Sequence, residues 1–190
     1  MPLGRRSLVA LALPLAAAAC SSSPEPVLYA LQMKPGPVLP RGPKIVQVRD
    51  IALASYLDRK EIVRASQDYK LVVLPNDWWG EGLGQMLTRV IVMGLAQRLP
   101  ASQIVPEGGA VPADPEAAIG VSIQRLDLDA GGQLVLSAQT GIEFNRPRRT
   151  AARGFQISRA PAGPDTRALV AAISDACGEL TDGLAQMLQS

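Results

Sequence analysis

Leu134-Val135-Leu136-Ser137-Ala138-Gln139-Thr140-Gly141-Ile142-Glu143-Phe144 decides the architecture. Leu134, Leu136, Ala138, Thr140, Ile142 and Phe144 alternate with mostly polar or small residues, the period-two pattern of a strand with one buried face. Asp129-Ala130-Gly131-Gly132 supplies a turn before it, and Ile119, Val121 and Ile123 alternate on the far side of that turn. Ala151, Arg153, Phe155 and Ile157 continue the pattern after it. Three antiparallel strands follow. The apolar phase slips by one between Ile123 and Leu126, which predicts a bulge.

Outward from this meander, Val27, Tyr29 and Leu31 give a first strand and Ile45-Val46-Gln47-Val48 a second, separated by the proline-rich stretch from Lys34 to Pro43. Glu61-Ile62-Val63-Arg64 and Tyr69 to Leu74 read as a hairpin about Ser66-Gln67-Asp68. A first helix is expected from Asn76 or Asp77, as cap, to Arg98. Its stripe comprises Trp79, Leu83, Met86, Leu87, Val90, Ile91, Gly94 and Leu95, Glu81 suits its dipole, and Pro100 ends it. Trp78 then points about 100° away from the stripe. A second helix starts after Pro164 with Asp165 as its cap and the stripe Leu169, Ile173, Ala176/Cys177, Leu180, Leu184 and Met187/Leu188, and Gly178 and Gly183 predict fraying or bending in its last turns. The fold class expected is α/β, a two-layer sandwich with a mostly antiparallel or mixed sheet and two main helices on one face.

Arg5 and Arg6, the apolar run Leu8–Ala19 and the small residues Ala17-Ala18-Ala19 before Cys20 read as an export signal, too short for a spanning helix of about 20 residues. Placed there, Cys20 makes the segment resemble a bacterial lipobox, which implies cleavage before Cys20 and acylation of that residue. The domains expected are 1–19 signal peptide, 20–26 lipidated cysteine with a short tether, and 27–190 one folded domain. Ser21 follows the cysteine where an inner-membrane retention signal places aspartate; by resemblance to sorted lipoproteins this favours the periplasmic face of the outer membrane.

Removing residues 1–19 takes two of the 19 basic residues and no acidic one, leaving 17 against 17 Asp and Glu. A neutral chain lacks the cationic surplus of a nucleic-acid binder, so no nucleic-acid partner is expected. The sequence holds no histidine, which removes the common Ser-His-Asp, Cys-His and HExxH sites. Gly80-Glu81-Gly82-Leu83-Gly84 lacks both the final glycine of a dinucleotide loop and the Lys-Ser/Thr pair of a P-loop. Asp127 and Asp129 offer too few oxygens for calcium. Cys177 lies on the buried stripe of the second helix as a small core residue. Neither a cofactor nor a metal is expected, and the chain reads as no enzyme.

Ile45-Val46-Gln47-Val48, then Ile51 to Val63 with its Tyr56-Leu57-Asp58-Arg59 element, then Trp79-Gly80-Glu81-Gly82-Leu83 and Arg89-Val90 resemble the ABC-type transport auxiliary lipoproteins, the PqiC-like family. Ala54 and Gly82 depart from it, since the family often carries proline at both places. The resemblance implies a non-catalytic lipoprotein that docks a periplasm-spanning MCE-domain protein of a lipid transporter. Its membrane contact is the acyl anchor on Cys20. Tyr56, Leu57, Arg59, Trp78 and Trp79 are the candidate partner-binding residues. A different reading is a structural envelope lipoprotein that chaperones or plugs an outer-membrane assembly without an MCE partner. The neutral surface and an exposed tryptophan also favour a homo-oligomer, as a ring around a tubular partner. The arginines at 146, 148, 149 and 153 read as a solvated turn.

Overall fold

The computed structural model describes residues 24–109 and 114–189, so the expectations for the signal peptide and for Cys20 lie outside the described residues. The chain forms β1 (Val27–Tyr29), β2 (Ile45–Val48), β3 (Ala52–Leu53), β4 (Glu61–Gln67), β5 (Lys70–Trp79), α1 (Leu83–Arg98), β6 (Gln103–Pro106), β7 (Ala117–Leu128), β8 (Leu134–Asn145), β9 (Arg148–Arg159) and α2 (Thr166–Met187). All nine strands join one mixed sheet, and the two helices pack against it.

β7 is the axis of the sheet. β8 pairs antiparallel along its whole length, from Ala117 opposite Phe144 to Leu128 opposite Leu134, and β9 pairs antiparallel with β8. The other edge of β7 is shared by β2, β3 and β4 in succession, all parallel to it. β6 adds to β2, β5 pairs antiparallel with β4, and β1 lies parallel on β5. The predicted bulge is present, as a register shift between Ile123 and Arg125. It turns the apolar phase so that Leu126 and Leu128 stay inside. β3 and β6, of two and four residues, are not read from the sequence.

The first helix starts later than expected. Asn76 to Trp79 belong to β5, where Asp77, Trp78 and Trp79 pair with Val27, Leu28 and Tyr29 of β1. Strand pairing on both sides outweighs the helical spacing of the apolar residues, and aromatic side chains suit a pleated surface. Neither Asn76 nor Asp77 is the cap. Gly82 occupies that place with no side-chain bond. Glu81 instead holds Arg89, two turns along, with its Oε1 2.5 Å from Nη2. The hairpin also turns later than read: Gln67 pairs with Lys70, so Asp68 and Tyr69 alone form the turn. Both have positive φ, 49° and 61°, as a two-residue type I′ connection requires.

α2 is capped as expected, with Asp165 accepting from the Ala168 N–H at 2.7 Å. Its last turns neither fray nor break, and the helix runs to Met187. Gly178 and Gly183 serve close approach. A Cβ on Gly183 would fall 2.2 Å from the Phe155 ring, and one on Gly178 2.9 Å from the Lys34 side chain. Leu87, Ile91 and Leu95 of α1 and Leu180 and Leu184 of α2 are fully buried, each contributing about 1.5–3 kcal/mol.

Arg98, at the end of α1, is only 1% exposed. Its Nε donates to Asp182 Oδ1 at 2.5 Å, Nη1 to the carbonyls of Lys34 and Gly94, and Nη2 to the carbonyl of Gly178. The proline-rich stretch is thereby strapped across both helices, with Gly36 lacking the Cβ that would collide with the guanidinium.

Candidate functional site

After β3 the chain makes a tight turn in which the Leu57 N–H donates to the Ala54 carbonyl at 2.8 Å. Leu57 points into the core. The Tyr56 hydroxyl donates to Asp127 Oδ2 at 2.9 Å, joined there by Ser66 Oγ at 2.7 Å, while Arg125 Nε reaches Oδ1 at 2.9 Å. Asp127 is fully buried, and three donors offset the cost of taking its carboxyl out of water. Burial, then the neighbouring Asp127, pushes the Tyr56 hydroxyl up to about 12.

The turn delivers Arg59 and Lys60 to the surface beside β5, because Glu61 lies opposite Trp78 in the β4–β5 pairing. Arg59 Nε is 3.2 Å from Glu61 Oε2. The Glu61 carboxyl is held below its usual range by its own backbone N–H and then by Arg59. Lys60 Nζ sits 3.8 Å from the centroid of the Trp78 ring, within cation–π distance. The Trp78 indole N–H donates to the Pro75 carbonyl at 2.9 Å. Successive strand residues face opposite ways, so Trp79 enters the core and is 7% exposed while Trp78 stays half-buried outside.

The structure therefore brings all five predicted residues to one corner but divides their work. Tyr56, Leu57 and Trp79 fasten the corner from within; Arg59 and Trp78, with Lys60 between them, form its outer surface. Sequence reasoning misses Lys60, whose signal is its place between Arg59 and Glu61. It also misses the Asp127 cluster, because residues 56, 66, 125 and 127 share no local pattern.

Other sequence features find structural places. Asp129 Oδ1 accepts from the N–H groups of Gly131 and Gln133, each at 2.9 Å, and closes the β7–β8 turn. Gly84, in the first turn of α1, allows a close crossing, since a Cβ there would lie 3.3 Å from the Ile51 carbonyl. Cys177 is buried, and burial pushes its thiol up to about 12, far from a reactive thiolate. Arg146, in the β8–β9 turn, pairs with Asp114, while Arg149 and Arg153 of β9 stack on Phe144 and Phe155. Among the described residues no three His, Cys, Asp or Glu side chains are grouped to hold a metal, and no helix is long and apolar enough to cross a membrane.

The mixed sheet with two helices against it recurs in solved structures. One crystal structure of an uncharacterised protein superposes with a TM-score of 0.71 at 18% identity, covering 86% of this chain and 99% of the other. Protein XCC0632 from Xanthomonas campestris, of the family DUF330, gives 0.69 at 18% identity, covering 86% and 95%. A PelC dodecamer from Paraburkholderia phytofirmans gives 0.41 at 12% identity, covering 79% and 97%. No curated protein matches the sequence significantly. Residues 29–185 match the ABC-type transport auxiliary lipoprotein component family, and the chain belongs to it. It is thus an auxiliary, membrane-anchored lipoprotein of ABC-type transport, in a family that is generally non-catalytic.

Proposed function

We propose that this chain is held through acylated Cys20 on the periplasmic face of the outer membrane, where it docks the MCE-domain protein of a lipid transporter without catalysing a reaction. The observation that carries the docking role is the corner at residues 56–61. Its inner members are fixed by buried hydrogen bonds and packing, and they hold an arginine, a lysine and a tryptophan rigidly outside. Rigid aromatic and cationic side chains are the residues that anchor protein interfaces. Ser21 supports the outer membrane, through resemblance to sorted lipoproteins. Self-association into a ring around the partner belongs to the same reading, supported by the neutral balance of charge.

The test is affinity isolation of the tagged full chain from envelopes solubilised in mild detergent. An MCE-domain protein should be recovered with the wild type and lost with the double variant Arg59→Glu, Trp78→Ala, which leaves the buried members intact. Repeated recovery without any MCE protein would overturn the docking role and favour a structural lipoprotein that works alone.

A further inference from the structure

The direction of β1 limits where a membrane anchor on residue 20 can lie. β1 is parallel to β5 with Val27 beside Asp77, so the chain enters β1 from the end where the β4–β5 hairpin turns. β5 bulges against β4 between Trp78 and Val73, so its run from Asp77 back to Lys70 is matched by about five residues of β4, a rise of about 17 Å at strand spacing. From Val27 back to Cys20 is seven residues, which span at most about 25 Å of extended chain. Pro24 and Pro26 stiffen that tether. The tether therefore reaches the level of Lys70 with about 8 Å to spare, which lets an anchor at Cys20 lie level with the hairpin tip. Any slack or bend in the tether draws the bilayer nearer and sets the hairpin tip deeper.

The tip is built for such contact. Tyr69 is completely exposed (111%), held outward by its left-handed backbone, and Leu71 and Val72 are 45% and 46% exposed. Leu71 and Val72 are strand neighbours and face opposite ways, so this end of the hairpin is bare on both sides. The flanking charges, Asp68 and Lys70, cancel. A tyrosine beside a lysine, backed by two aliphatic side chains, suits the boundary between headgroups and acyl chains. We propose that the β4–β5 tip seats in the leaflet that holds acylated Cys20, with Tyr69, Leu71 and Val72 in contact with lipid. This inference rests on the Cys20 anchor.

The experiment uses the full chain, exported and processed in bacteria, then reconstituted into phosphatidylcholine vesicles with and without brominated acyl chains. The chain carries two tryptophans, and Tyr69→Trp adds a third at the tip. Thr150→Trp, near the β8–β9 turn, is the far-end control. The emission added by Tyr69→Trp should be lost to brominated lipid, resist acrylamide and stay so at high salt, because the contact is apolar. The emission added by Thr150→Trp should do the reverse. If vesicles float the protein but the tip emission is quenched by acrylamide and ignores bromolipid, the contact is overturned and the anchor stands. Shielding from both quenchers would also overturn it, assigning the tip to a second copy or another protein. If the wild type floats no better than Cys20→Ala, the anchor falls and the contact with it.

Discussion

Tyr56 and Asp127 lie 71 residues apart and share one hydrogen bond that ties the motif corner to the central strand. Removing the hydroxyl leaves Asp127 with two side-chain donors, so Tyr56→Phe should destabilise the fold by about 1–3 kcal/mol at neutral pH. The same pair sets an alkaline limit. The hydroxyl ionises near 10 in the unfolded chain and at about 12 in the folded one. Its contribution is fully present below about pH 10 and is lost as pH rises toward 12, because the unfolded chain releases a proton that the folded state keeps. Denaturant midpoints measured across that window should fall with pH, and fall less steeply in Tyr56→Phe. The slope that remains comes from Cys177 and Tyr29, both shifted upward in the same sense.

Among the elements, α2 shows how a residue that weakens a helix in isolation can be required by its packing. Gly183 faces the Phe155 ring of β9 with no room for a methyl group. Gly183→Ala should therefore lower stability by about 1–3 kcal/mol despite the better helix propensity of alanine. Combining it with Phe155→Leu should recover part of that loss; chemical denaturation of both variants checks it. Sequence periodicity reads the β7–β8–β9 meander, its bulge and the body of both helices, because each is long and buries a single face. It misreads Trp78 and Trp79 as helical because Trp79 suits the stripe of the following helix, whereas their partners, Leu28 and Tyr29, are supplied by a strand 50 residues earlier. Arg98 is legible only as the end of a helix. Its burial depends on Lys34, Gly178 and Asp182, three positions that meet only in the folded chain.

For the molecule as a whole, the corner at residues 56–61 and the hairpin tip lie at different places on the same β4–β5 ribbon. One hairpin thus carries both proposed contacts, partner at its base and lipid at its tip. Cys20→Ala should leave the domain folded, with unchanged circular dichroism, yet release it from the membrane fraction and abolish its support of transport in cells. A soluble variant that complements fully would show that position is not part of the function.

The strap closed by Arg98 joins distant parts of the chain. The Gln32 N–H donates to Ser174 Oγ, 142 residues along the chain, and Gln189 Nε2 donates to the Arg41 carbonyl, 148 residues back. The opening segment thus finds its seat on the closing helix. A polypeptide that lacks α2 keeps the seat that α1 gives residues 31–41 but not the one on the closing helix, and contacts so distant in sequence close slowly. Completion of the strap therefore requires α2 even though its contacts to α1 are closer in sequence.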